Sequence, residues 1–166
     1  MQSEGLRTLQ AELRADMTVL GNLEEKYDLI KAKLSRIEPD EFDHAALAYT
    51  IANLYNLMEN YFSRVAKCFE NNIEPGRWHR DLVARMALEI DGIRPALLNA
   101  ADVPLIDELR AFRHVFRHIY QSQLDEEKLL LVDQRTPAAL SAFRKAHDRF
   151  DSALGELIEE VDKSAP

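Results

Sequence analysis

The chain has 166 residues, 46% of them hydrophobic, and a formal charge of -8. That length and apolar content suit one domain with a core of its own, and the acidic balance favours solubility while arguing against a general nucleic-acid binder. Cys68 is the single cysteine, which excludes an intramolecular disulfide and a thiolate metal cluster within one chain.

The opening stretch MQSEGLRTLQAELRAD has no apolar core of the signal-peptide kind, and no apolar run approaches the roughly 20 residues that cross a bilayer. The expected compartment is the cytoplasm, with no membrane association. Leu6, Leu9, Leu13, Met17, Leu20, Leu23, Tyr27, Ile30, Leu34 and Ile37 recur by threes and fours, which predicts one long amphipathic helix. Glu38-Pro39-Asp40 ends it, because proline disfavours a helical predecessor and Asp40 can cap the next helix. That second helix presents Leu47, Ile51, Leu54, Met58, Tyr61, Val65 and Phe69, broadened by Tyr55 and Phe62, up to Asn71-Asn72 and the turn at Pro75-Gly76. The short link predicts that these two helices pair antiparallel.

A shorter helix is expected from about Arg77 to Ile90, then a connecting loop from Gly92 to Pro104. The next helix begins near Asp102, turns Leu105, Leu109, Phe112, Phe116 and Ile119 to the core, and loses its pattern near Asp125. A helical segment through Leu129 to Val132 is expected to break at Thr136-Pro137, before a last helix carrying Leu140, Phe143, Phe150, Leu154, Leu157, Ile158 and Val161. No strand signal, internal repeat or interdomain linker is present. The expected architecture is an all-α, up-and-down antiparallel bundle of about five to six helices, one domain over 1–162, with residues 163–166 a frayed tail.

Chemistry concentrates between Leu109 and Leu124, where Arg110, Arg113, His114, Arg117 and His118 fall within barely two turns free of acids. A basic island in an acidic protein points to a local site for an anion such as a phosphodiester. With Arg113 at zero and about 100° per residue, the basic side chains span about 0° to 140° and the apolar ones centre near 280°, so the basic face is expected to turn away from the core. His118 then lies some 140° from Arg113, too divergent for one ideal helix to aim both at a single phosphate, a difficulty that dimerisation would resolve. Tyr120 falls at the border of the two faces, its ring expected to pack and its hydroxyl to reach the rim.

His114 and His118 at i and i+4 have the spacing of a helical metal site. With no HExxH and with arginines beside them, no metal is expected there. The five glycines include no GxGxxG or P-loop, so no nucleotide cofactor is expected on a phosphate-cradling loop. On the second helix Asn53, Asn56, Glu59, Asn60 and Ser63 recur along the flank of the apolar stripe. Asparagine is a poor helix former, so its repetition points to hydrogen bonding, either against a neighbouring helix or in a site. Trp78 reads as a hydrophobic anchor at a helix start, and His44, His79 and His147 share no spacing that nominates a nucleophile triad.

The segments YNLMENYFSRVAKCFE, GRWHRDLVARMA and IRPALLNAADVPLIDELRAFRHVFRHIY resemble the HepT-like group of the HEPN families, over roughly Leu47 to Leu131. The resemblance implies a helical bundle that dimerises and a metal-independent endoribonuclease whose signature is an arginine and a histidine four to six residues apart. That signature maps onto Arg113 and His118, with Tyr120 completing an R-x4-H-x-Y form. It further implies a toxin of a two-gene system, a minimal nucleotidyltransferase as antitoxin, and Tyr120 as the residue that this partner adenylylates. In this reading Arg113, His118 and Tyr120 are catalytic, while Arg110, His114 and Arg117 bind the RNA. The competing reading is a non-catalytic subunit whose basic face docks a nucleotidyltransferase or its nucleotide.

Overall fold

The computed structural model describes residues 3–36, 38–70, 78–118 and 124–164, the side chains of 78–81 excepted. Five helices carry them: α1 (Ser3–Leu34), α2 (Glu41–Phe69), α3 (Trp78–Met86), α4 (Val103–Phe116) and α5 (Glu126–Ser164), with one 3-10 turn at Ala100–Asp102 and no strand among the described residues. The protein is an all-α helical bundle. Ile37, Asn71-Asn72, Pro75-Gly76, Ile119 and Tyr120, and the Trp78 and His79 side chains, lie outside the described residues.

α1 starts and stops close to its apolar stripe, and α2 begins at the expected cap. Asp40 accepts from the amides of Phe42 and Asp43, and the Asp43 carboxylate returns to the Asp40 amide, so orphan donors are satisfied at both ends of a capping box. Helix directions follow from the ion pairs. Arg64 on α2 reaches Glu12 and Asp16 near the start of α1, and Lys33 near its end reaches Asp43, so α1 and α2 are antiparallel. Arg7 pairs with Asp162 and Arg14 with Asp151, while Tyr27 meets Asp133, which makes α5 antiparallel to α1 as well.

α2 is the central helix, touching each of the other four. Its buried aromatics meet those of α5 edge to face, Tyr61 with Phe143 at 5.1 Å and Phe62 with Phe143 at 5.7 Å between ring centroids. His147 is enclosed there too, its Nδ1 2.9 Å from the Tyr61 hydroxyl. Burial pushes the His147 pKa below that of a free imidazole, opposed by Asp151 and Asp148 and reinforced by Arg14 and Arg144. An imidazole that resists protonation only when folded leaves stability intact above the unfolded pKa of about 6.5 and erodes it as pH falls below that. The urea midpoint is therefore expected to drop between pH 7.5 and pH 5.5, and His147→Gln to flatten that portion of the profile; an equal drop in the variant would refute the assignment.

Three boundaries differ from the sequence expectation, each for a local reason. α3 ends at Met86 rather than near Ile90, because the Met86 carbonyl accepts from the Leu97 and Leu98 amides and Ile90 pairs with Arg94 across a turn in which Gly92 takes a positive φ of 67°. α4 stops at Phe116, well short of Asp125. Arg117 still donates to Arg113, four residues back, but His118 donates to Val115, only three back, so His118 sits on a tightened closing turn.

Nor does the chain break at Thr136-Pro137. α5 runs without interruption from Glu126 to Ser164, with Pro137 inside it, and extends into the stretch expected to fray. Proline removes the donor that would reach the Asp133 carbonyl. Here the Tyr27 hydroxyl reaches that carbonyl at 3.2 Å and the Asp133 carboxylate at 2.6 Å, and Lys31 pairs with the same carboxylate. A tyrosine from the neighbouring helix thus shares its single hydroxyl proton between the carboxylate and the acceptor that proline leaves open, a tertiary contact with no trace in the local sequence.

Candidate functional site

Arg113 lies on the side of α4 that faces α2, with its side chain only 18% exposed. Its Nε–H donates to Asn56 Oδ1 at 2.7 Å, and Nη2 lies 3.1 Å from Glu59 Oε2. Glu59 is itself buried. One turn of α2 therefore offers a neutral acceptor and a carboxylate three residues apart to one planar fork. The guanidinium is fixed in direction and keeps its remaining N–H groups for another acceptor.

This corrects the expectation that the basic face turns wholly to solvent. Arg113 sits at the edge of that face nearest the core, and Asn56 and Glu59 draw it inward. Beneath it the Tyr55 phenol is fully buried, with no hydrogen-bond partner for its hydroxyl among the described residues. Burial first and Glu59 second raise its pKa, against the pull of Arg110 and Arg113. Arg110 is occupied by an ion pair with Asp107 on its own helix.

Arg117 and His118 are exposed on the turn after α4. The His118 Nδ1 lies 2.7 Å from the His114 carbonyl, and the two imidazoles approach to 4.9 Å between centroids, tilted by 48°. A carbonyl can only accept, so Nδ1 carries the proton, and in neutral His118 the lone pair is at Nε2. That nitrogen is left available as a base, its tautomer chosen by the backbone. Among the described residues no group of three His, Cys, Asp or Glu side chains gathers that could hold a metal.

A shallow concavity of about 480 Å³ opens between α2 and α4, lined by Asn53, Asn56, Glu59 and Asn60 from the first helix and Arg113, Phe116 and Arg117 from the second. His118 does not line it. One chain thus brings Arg113 and Arg117 to a common surface, places His114 and His118 together at the end of α4, and keeps these two groups apart. Tyr120 lies outside the described residues.

Asn56 and Glu59 stand out in the sequence as a polar stripe, but their partner does not. The usable signal was a glutamate and repeated asparagines beside the apolar stripe of a deeply packed helix, where an unmatched charge is costly. Such residues demand a cation from a neighbouring element, and α4 carries the densest supply.

No helix among the described residues is long and apolar enough to cross a membrane. Neither a curated protein nor a solved structure gives a significant match to the chain. A family model described as HepT-like protein matches residues 46–154, from the second turn of α2 through most of α5, and so encloses Asn56, Glu59 and the whole of α4. With most of its length inside that match, the chain belongs to the HepT-like family.

Proposed function

We propose that the protein is the toxin of a two-component toxin–antitoxin pair, a cytoplasmic homodimer that cuts RNA without a metal. The observation that carries this reading is the pair of preset groups at the end of α4, an arginine fork locked by Asn56 and Glu59 and an imidazole whose backbone bond leaves Nε2 as a base. In a dimer that opposes two α4 ends, the Arg113 of one copy faces the His118 of the other, and the separation seen within one chain disappears. The Leu109–Tyr120 stretch lies near the two-fold axis in this arrangement.

In the reaction, His118 Nε2 takes the proton of an RNA 2'-hydroxyl, the freed oxygen attacks the adjacent phosphorus, and the 5'-oxygen leaves with a proton from the second copy's imidazolium. Arg113 and Arg117 bind the phosphoryl oxygens as negative charge builds on them. The products are a 2',3'-cyclic phosphate and a 5'-hydroxyl end. The nucleophile belongs to the substrate, so no cofactor enters.

The family supports a minimal nucleotidyltransferase as the antitoxin and Tyr120 as its target, the Tyr120 oxygen displacing pyrophosphate from ATP and gaining AMP. An added phosphate there would be drawn to Arg117 and would compete with RNA. Incubation of purified protein with single-stranded RNA in chelator, with the new ends identified, tests the central reading, and light scattering tests the dimer. Failure to cut RNA, with no growth arrest on expression, replaces the nuclease with a non-catalytic subunit that docks the nucleotidyltransferase or its nucleotide.

A further inference from the structure

The concavity beside Arg113 continues across the outer face of α2. A second one of about 410 Å³ opens between α2 and α1, and Tyr49, Asn53, Asn56 and Asn60 line both. Their spacing of four, three and four residues places them in a single stripe along about 16 Å of helix. Tyr49 is 63% exposed and Asn60 is exposed, and the Asn60 side chain makes no hydrogen bond among the described residues. Asn53 only accepts, from the Asn56 amide at 3.3 Å. Arg113 offsets the local cost of Asn56, whereas no neighbouring helix engages the side chains of Asn53 and Asn60 among the described residues.

The charges along this trough select its occupant. Both acids that line it are matched, Asp16 by Arg64 at 3.1 Å and Glu59 by Arg113 at 3.1 Å. Lys26 on the α1 side and Arg117 on the α4 side make no ion pair among the described residues, so the uncompensated charges are both positive on a protein of net charge -8. Flanking cations, a row of primary amides and an exposed phenol ring match the phosphates, base edges and base faces of a single-stranded polynucleotide.

We propose that Tyr49, Asn53 and Asn60 form a base-reading strip for single-stranded RNA, which runs across α2 to Lys26 from a phosphate held at Arg113 and Arg117. A primary amide offers a donor and an acceptor side by side, the pattern of a base edge, while Tyr49 supplies a stacking surface. The strip, rather than the motif on α4, then sets which bases flank the cut. This rests on the nuclease reading for the class of substrate, though binding and cutting separate experimentally.

The test uses short 2'-O-methylated homopolymers of A, C and U, which cannot be cleaved by attack of their own 2'-oxygen. Fluorescence anisotropy on wild type should show a preference of about tenfold or more for one base, the size of one good amide–base pair. Asn53→Ala and Asn60→Ala should each erase most of that preference, with unchanged thermal melting because alanine favours a helix. Tyr49→Ala should weaken all three oligomers, as should Lys26→Ala. Absence of RNA binding in wild type, or base preferences unaltered in both asparagine variants, overturns the proposal. So does a loss of self-association in these variants, which would identify the strip as a protein interface. Binding with the expected preference but no cleavage of ordinary RNA would remove the nuclease reading and leave the strip in place.

Discussion

His118→Ala should lower RNA cleavage by on the order of a hundredfold or more, the range for loss of a general acid–base group, with thermal stability almost unchanged. The imidazole is exposed, and among the described residues its contacts are the bond to the His114 carbonyl and the neighbouring ring of His114, so little of the described packing is lost with it. Arg113 needs a gentler substitution. Alanine would withdraw the cation beside buried Glu59 and confuse stability with function, whereas Arg113→Lys keeps the charge and removes the planar fork. The lysine variant should melt close to wild type and lose roughly tenfold or more in kcat, because a point charge cannot hold the Asn56 acceptor, the Glu59 carboxylate and a phosphate in one plane. Wild-type rates in His118→Ala would end the nuclease assignment, and full activity in Arg113→Lys would reduce Arg113 to an ion pair.

Much of the bundle was legible because its determinants are local. The three-four spacing of Leu6 to Leu34 and of Leu47 to Phe69 writes the buried face of α1 and α2, and Asp40 followed by Asp43 writes the cap between them. The features that escaped depend on contacts from elsewhere in the chain. Pro137 breaks a helix by local rule, and Tyr27, over a hundred residues earlier, brings a hydroxyl to the carbonyl that proline leaves without a donor.

The site divides in the same way. The basic island of α4 shows in the sequence, and so does the polar stripe of α2. Their meeting does not, since the period of an ideal helix places Arg113 only at the border of its face, and the choice between solvent and core is made by Asn56 and Glu59. The expectation that Arg113 and His118 diverge holds within one chain, but for an added reason: α4 ends at Phe116, so His118 follows the geometry of a closing turn rather than that of a helix.

Arg94 carried no signal in the sequence, and it should give the largest loss of stability of any single substitution. Its guanidinium is completely enclosed, and every donor on it is used. Nε and Nη2 reach Glu70 Oε1 at 3.2 and 3.0 Å, Nη1 reaches the carbonyls of Leu88 and Pro95 at 2.9 and 3.2 Å, and Nη2 also reaches that of Arg85 at 2.9 Å. The side chain ties the end of α2 to the end of α3 and to the turn that leads into α4. Arg94→Ala strands the carbonyls of Leu88 and Pro95, leaves that of Arg85 with the Leu88 amide alone, and weakens the neutralisation of Glu70, which keeps Arg85 as a partner; removal of one partner from a buried pair costs about 3–5 kcal/mol. Arg94→Lys should recover only a minor part, since an ammonium cannot span that fan of acceptors. Urea denaturation measures the loss, and hydrogen exchange should show residues 87–98 opening first. The consequence reaches the site, because this turn sets where α4 begins and hence where Arg113 meets Asn56. An unfolding free energy within about 1 kcal/mol of wild type for Arg94→Ala would show that water replaces the whole network, and would break the link from this turn to the arginine fork.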